Sequence, residues 1–147
     1  GAGALGATTL LGLSGQPLRA DTPSQGGTLR LGIGSFDSGE TLDPQVTETK
    51  FMQNLQWQVR NNLIEIGAGG VLVPELATSW EANDELTVWT IKLRQGVEFH
   101  NGKTMDADDV VFSINLHRGE DSISQSKALV AVISDVQATA ADEVTIP

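Results

Sequence analysis

Residues 86–113 read LTVWTIKLRQGVEFHNGKTMDADDVVFS, and they carry three local signals in a row. Trp89, Ile91 and Leu93 alternate with Thr90 and Lys92, which is the period-two pattern of a half-buried strand. Val97 and Phe99 continue the alternation, and Asn101-Gly102 supplies a tight turn that needs positive φ at low cost. Asp106 then stands where a helix N-cap belongs, with Asp109 three residues on completing a capping-box-like arrangement. The helix runs through Val110, Val111, Ile114 and Leu116. His117 and Arg118 complement its C-terminal dipole, and Gly119 offers the left-handed exit.

Upstream, Thr78 to Glu81 has strand character and Asn83-Asp84-Glu85 reads as a turn. A β-hairpin joining the Trp80 and Trp89 strands follows, with both tryptophans expected in the core. Val46 to Ile66 reads as a helix, because Phe51, Leu55, Val59 and Leu63 recur every four residues with Met52 and Trp57 widening the stripe. Gly67 to Gly70 ends it in a turn. Thr28 to Ile33 alternates with Leu29, Leu31 and Ile33 on one face, predicting a strand, and Gly32 and Gly34 mark a place where a backbone or ligand comes close. Ser35 to Thr41 is a polar loop closed by the Leu42-Asp43-Pro44 turn. Downstream, Asp121 to Ser126 is a polar loop, Lys127 to Ile133 a short apolar stretch, and Val136 to Ile146 extended chain around a turn at Ala140 to Glu143.

The first twenty residues differ in kind. Gly1 to Gly15 is uncharged and rich in Gly, Ala and Leu, and Ala20 is a small-residue cleavage point, so residues 1–20 read as a signal-peptide remnant. Their Gly and Ala content is closer to twin-arginine export signals than to general secretory ones; the alternative is a flexible leader or a buried helix. The stretch is too short and glycine-rich to span a bilayer, which takes about 20 predominantly apolar residues. Residues 21–27 form a linker by composition.

Bulk composition narrows the functional classes. The 147 residues carry a net charge of −10, with nine scattered Lys and Arg, which argues against nucleic acid and anionic membrane surfaces. No cysteine is present, so disulfides, thiolate nucleophiles and zinc–thiolate sites are excluded. Two histidines are too few for a histidine metal cluster, and Tyr is absent.

The ordered elements resemble a known family, the extracellular solute-binding proteins of the oligopeptide, dipeptide and nickel type. Gly26-Gly27-Thr28-Leu29-Arg30 is similar to the family's opening strand and Thr41-Leu42-Asp43-Pro44 to its turn. Residues 72–81, LVPELATSWE, match the family's segment nearly letter for letter, and residues 86–113 resemble its longest signature. Asn101 stands where Asp is commoner, and Gln56-Trp57-Gln58 replaces a pattern that often holds tyrosine. The resemblance implies an α/β class: part of a two-lobed, type II periplasmic-binding-protein-like fold with a mixed sheet and helices. Residues 28–45 would be the first strand and turn of the large lobe. Residues 46–147 would be a smaller subdomain of that lobe, truncated at its C-terminal end, with the opposite lobe supplied elsewhere.

The implied function is the substrate-binding component of an ABC importer, outside the cytoplasmic membrane, handing a peptide or similar small solute to a permease. It implies no enzyme, no cofactor and no metal. The alternatives are a non-transport peptide-binding module on the same fold and, behind it, a hydrolase, for which no Gly-x-Ser-x-Gly elbow exists. Glu98 and His100 lack a third ligand, and zinc takes three or four. Asp106, Asp108 and Asp109 lack EF-hand spacing and read as helix capping. Ligand contact is expected at Ser35, Phe36, Asp37 and Ser38, where the family's loop borders the cleft and backbone groups can pair with an extended peptide. The loop from Ser122 to Ser126 is the second candidate.

Overall fold

In the computed structural model, which describes residues 26–147, the chain divides into two units, one ending at Leu31 and a second spanning Gly32–Pro147. The named elements lie in the second. In chain order they are a 3-10 turn at Pro44–Val46, helix α1 (Lys50–Val59), strand β1 (Ile64–Ile66), a 3-10 turn at Ala68–Gly70, and strands β2 (Leu72–Pro74), β3 (Ala77–Ala82) and β4 (Trp89–Leu93). Helix α2 (Ala107–Leu116), helix α3 (Lys127–Val130) and strands β5 (Gln137–Ala140) and β6 (Glu143–Ile146) follow. Helices and sheets combine as the α/β expectation has it. β1 and β2 make a two-stranded sheet and the other strands a four-stranded one in the order β3-β4-β6-β5, every pair antiparallel.

The stretch at 86–113 folds as its pattern predicts. Asn83 turns the hairpin, its side-chain oxygen accepting from the backbone N–H of Thr87 at 2.8 Å and Val88 at 3.0 Å. β4 sits between β3 and β6, with Trp80 opposite Ile91 and Val144 opposite Ile91 on the other side. Ile91 and Leu93 are buried with Ala77, Met105, Ala107, Val110, Val136 and Val144. Burying each large side chain of this cluster contributes about 1.5–3 kcal/mol. Helix α2 packs across β5 and β6 and closes that cluster from one side. Trp80 lies half-buried against it, as expected. Trp89 does not join it: at the first position of β4, paired with Ala82 and Ile146, it stays 41% exposed.

Helix α2 starts on a formed capping box. The Asp109 N–H donates to Asp106 Oδ1 at 3.2 Å and the Asp106 N–H to Asp109 Oδ2 at 3.0 Å. Lys103 straddles both carboxylates, 2.5 Å from Asp109 and 3.4 Å from Asp106, and its ammonium also lies 5.6 Å from the centre of the Phe99 ring. The Lys103 hydrogen bond, more than any other contact, holds the Asp109 carboxyl below its ordinary range. Gly102 (φ 84°) makes the tight turn and Gly119 (φ 87°) the exit from the helix, both in the region that costs a side chain most. Asp106→Ala is therefore expected to cost about 0.5–2 kcal/mol, read from urea unfolding. Asp108→Ala, which removes no cap, should change stability by no more than about 0.5 kcal/mol. Equal effects from the two would remove the capping role.

Two further sequence expectations are corrected. The helix over 46–66 is shorter: α1 ends at Val59, Arg60 is extended, and Ile64–Ile66 is a strand. The cause lies in Glu75. Its carboxylate accepts from the Asn61 side chain at 2.7 Å and the Asn62 backbone N–H at 3.1 Å, so the chain satisfies its polar groups outside the helix. The β-branched Ile64 and Ile66 then pair with Pro74 and Leu72 across a turn held by Gly69 and Gly70 at positive φ. The buried helix positions are Met52 and Gln56, displaced by one from the apolar repeat, and Trp57 is 71% exposed.

The second correction concerns Thr28 to Ile33, which forms no strand; Leu29 is 80% and Leu31 57% exposed. Alternation makes a strand only where a neighbour completes the ladder, and neither sheet includes these residues. Residues 1–20, read as an export signal, and most of the 21–27 linker lie outside the described residues.

Candidate functional site

Ser35 turns the chain with φ 67°, a conformation uncommon for a residue with a side chain. The loop it begins is organised by its own carboxylates. Asp37 Oδ1 accepts from the Gly39 N–H at 2.7 Å, and the Glu40 N–H donates to the Asp37 carbonyl at 3.3 Å. Glu40 Oε1 takes the Thr49 hydroxyl, and the Thr49 oxygen in turn caps α1 by accepting from the Met52 N–H at 3.2 Å. The loop is thus tied to the start of the helix. Phe36 sets its ring edge-on to Phe51 of α1, centres 5.4 Å apart at 86°, while remaining 70% exposed.

Between loop and helix lies a recess of about 230 Å³, lined by Asp37, Gly39, Glu40, Val46, Glu48 and Thr49. Of the four residues expected to contact ligand, Asp37 lines it; Ser35, Phe36 and Ser38 stand on the same loop but not among its walls. Glu40, Glu48 and Thr49 do line it. No residue-type motif marks them, because their placement depends on where α1 begins. Residues 32–36 make no backbone hydrogen bond to other described residues, so their N–H and C=O groups lie outside any ladder.

The Ser122 to Ser126 loop comes to the same region from far along the chain. The Gln125 N–H donates to the Gln45 carbonyl at 3.1 Å, the Ser122 hydroxyl lies 3.2 Å from Gln45 Oε1, and Gln125 Nε2 donates to Glu48 Oε1 at 2.8 Å. The Ser122 to Ser126 loop therefore meets the Pro44–Val46 turn and Glu48, while the Ser35 to Thr41 loop reaches Thr49 and Phe51 at the start of α1. The Ser122–Gln45 and Gln125–Glu48 contacts join residues 77 positions apart, and nothing local in the sequence announces them.

Other groupings resolve into structure. The His117 Nδ1 to Ser124 Oγ contact of 2.6 Å is a serine–imidazole pair that the sequence reading did not find. Ser124 is 7% exposed and also accepts from the Ser126 N–H at 3.1 Å, so the pair ties the end of α2 to the loop and presents no hydroxyl to a substrate. His100 Nε2 lies 3.1 Å from the Val59 carbonyl, and Glu98 bridges to Thr104. Among the described residues no group of three or more His, Cys, Asp or Glu is placed to hold a metal ion. A larger depression of about 440 Å³ lies at the end of β4 beside Arg94, Gln95, Thr104 and Asp106. Its Arg94 and Gln95 already donate to the Glu75 carbonyl at 2.9 Å and to Asp142 at 2.7 Å. Among the described residues no helix is long and apolar enough to cross a membrane.

The geometry can be set beside known proteins. Residues 71–147 match the model of bacterial extracellular solute-binding proteins, family 5 Middle. A probable di/tripeptide-binding protein of Pseudomonas aeruginosa is 47% identical over 60 residues, which cover 36% of this chain and 11% of that protein. The oligopeptide-binding protein AppA of Bacillus subtilis, solved with a nonapeptide, superimposes with a TM-score of 0.70 at 21% identity, over 78% of this chain and 23% of its own. The binding protein MoaA of A. tumefaciens R10, solved with mannopinic acid, gives 0.66 at 33% identity, over 73% and 22%. The chain thus spans less than a quarter of the solved relatives, and its matched stretch about a tenth of the curated one.

Proposed function

The chain belongs to the bacterial extracellular solute-binding proteins of family 5, and from that membership we propose that it serves as part of the substrate-binding component of an ABC importer. In this reading it captures a peptide or similar small solute outside the cytoplasmic membrane and delivers it to a permease. Export precedes that role, and the Gly- and Ala-rich leader points to the twin-arginine route. The family match over residues 71–147 carries the proposal. Supporting it, the P. aeruginosa relative is named for binding di- and tripeptides, and the B. subtilis structure holds a nonapeptide.

The contact surface is the loop Ser35, Phe36, Asp37 and Ser38. Residues 32–36 make no backbone hydrogen bond to other described residues, which leaves backbone donors and acceptors for an extended peptide to pair with by strand addition. Phe36 supplies an exposed ring whose orientation is held by Phe51. The described residues form one wall of the site. At about 230 Å³ the recess is smaller than the roughly 300–1,000 Å³ of pockets that enclose their ligands.

Saturation-transfer NMR with a mixed dipeptide-to-pentapeptide library checks the class of function. Transfer to peptide signals is expected, with every peptide recovered intact by mass spectrometry after a day. Absence of transfer would contradict the binding role, and cleavage products would replace it with a hydrolase.

A further inference from the structure

Gln125 lies outside the loop assigned to ligand contact, yet it touches the wall of the recess from a distant part of the chain. Its side-chain amide donates to Glu48 Oε1 at 2.8 Å, and Glu48 lines the recess together with Asp37. Its backbone N–H is fixed on the Gln45 carbonyl at 3.1 Å. Gln45 is itself held on the other side, where its N–H donates to Asp43 Oδ1 at 2.9 Å. A glutamine anchored at its backbone has few rotamers left that reach Glu48. The entropy of aiming that carboxylate is then lost on folding and not on binding.

Rigid support reaches the Ser122 to Ser126 loop from behind as well. Ser124 is buried and bonded to His117 at the end of α2, and the Lys127 ammonium donates to the Glu120 carbonyl at 2.7 Å. The loop is therefore a bracket standing on α2, with Gln125 as the arm that reaches the recess. A free Glu48 side chain would sample several rotamers and swing toward water. With the arm in place its carboxylate is presented at one position beside the Asp37–Glu40 turn.

We propose that Gln125 is a positioning residue of the solute site, acting through Glu48 to set the shape of the recess that the Ser35–Ser38 loop borders. This rests on the reading of that loop as the contact surface. Gln125 itself need not touch the solute. Its effect should appear in affinity while stability stays put, because the bond to Glu48 is solvent-exposed and exposed polar contacts contribute little to folding.

The test is a titration of the 15N-labelled chain with the dipeptide-to-pentapeptide library, following the amides of Ser35 to Glu40, alongside thermal unfolding. Gln125→Ala is expected to weaken the apparent affinity at those amides by about threefold to tenfold, the range of one lost hydrogen bond. Its melting temperature should stay within about 2 °C of the parent, as expected for a surface change. In a Glu48→Ala background the same substitution should add nothing, since a residue that acts through another loses its effect with it. Unchanged affinity in Gln125→Ala, or an undiminished loss in the Glu48→Ala background, overturns the positioning role and leaves the binding reading intact. A parent chain that shows no shift at Ser35 to Glu40 overturns both.

Discussion

Val144→Asp is expected to abolish cooperative unfolding of the chain, leaving a species without a fixed tertiary fold. Val144 is fully buried, stands in β6 between Ile91 of β4 and Ala138 of β5, and is the largest fully buried side chain among the described residues. The cluster around it is small: eight buried residues, of which Ala77 and Ala107 contribute little area. An aspartate there has no cation to meet. Lys92 and Glu143 are adjacent in register and pair with each other at 2.5 Å. An uncompensated charge left in a core costs about 3–5 kcal/mol, set against a total stability of roughly 5–15 kcal/mol for a domain. The loss is compounded because β6 links β4 to β5, so half the sheet depends on it. Urea titration followed by circular dichroism and tryptophan fluorescence checks this, with Glu143→Asp as a control on the opposite, half-buried face of the same strand. A cooperative transition at the parental midpoint would mean that β6 does not lie between β4 and β5.

Sequence and structure part company for definable reasons. The region from Thr78 to Gly119 was legible because each element carries its own start and stop: the Asn83 turn, the Asn101-Gly102 turn, the Asp106–Asp109 box and the Gly119 exit. Those are interactions between residues a few positions apart, and local chemistry is enough to fix them. The helix read over 46–66 ran too long because the signal that stops it is Glu75, a carboxylate thirteen positions beyond Asn62. The buried face of α1 was misplaced for a similar reason. Gln56 is buried by donating to the Leu42 carbonyl at 3.2 Å, and a polar residue at a core position is invisible to an apolar repeat. Thr28 to Ile33 alternates correctly, but alternation says nothing about whether a partner strand is at hand.

The candidate site was half legible. The loop Ser35 to Ser38 was named from its place after an expected strand that does not form, and of its four residues Asp37 alone lines the recess. Its remaining walls are Gly39 and Glu40 of the same loop and Val46, Glu48 and Thr49 ahead of α1, whose start depends on the Thr49 cap, and Glu48 is in turn bonded to Gln125 across 77 residues. Separations of that size leave no periodic trace.

In the proposed reading the Ser35–Ser38 loop is one wall of a solute site, sufficient to make contact and insufficient to enclose. A recess of about 230 Å³ leaves a peptide's outer face in water, whereas tight sites bury about 70–90% of a ligand's surface. Polar groups stripped of water on the inner face gain only what this loop returns, so the net affinity is small. The most direct measurement maps amide shifts across the whole 15N-labelled chain as the dipeptide-to-pentapeptide library is added. The predicted result is a set of shifts centred on Ser35 to Ser38, fading through Glu48 and Gln125, with a midpoint weaker than about 100 μM, well short of the roughly −8 kcal/mol that micromolar binding requires. Micromolar binding would show that a complete site exists within these residues, and shifts centred on the depression beside Arg94 and Gln95 would place it elsewhere; either result contradicts the account.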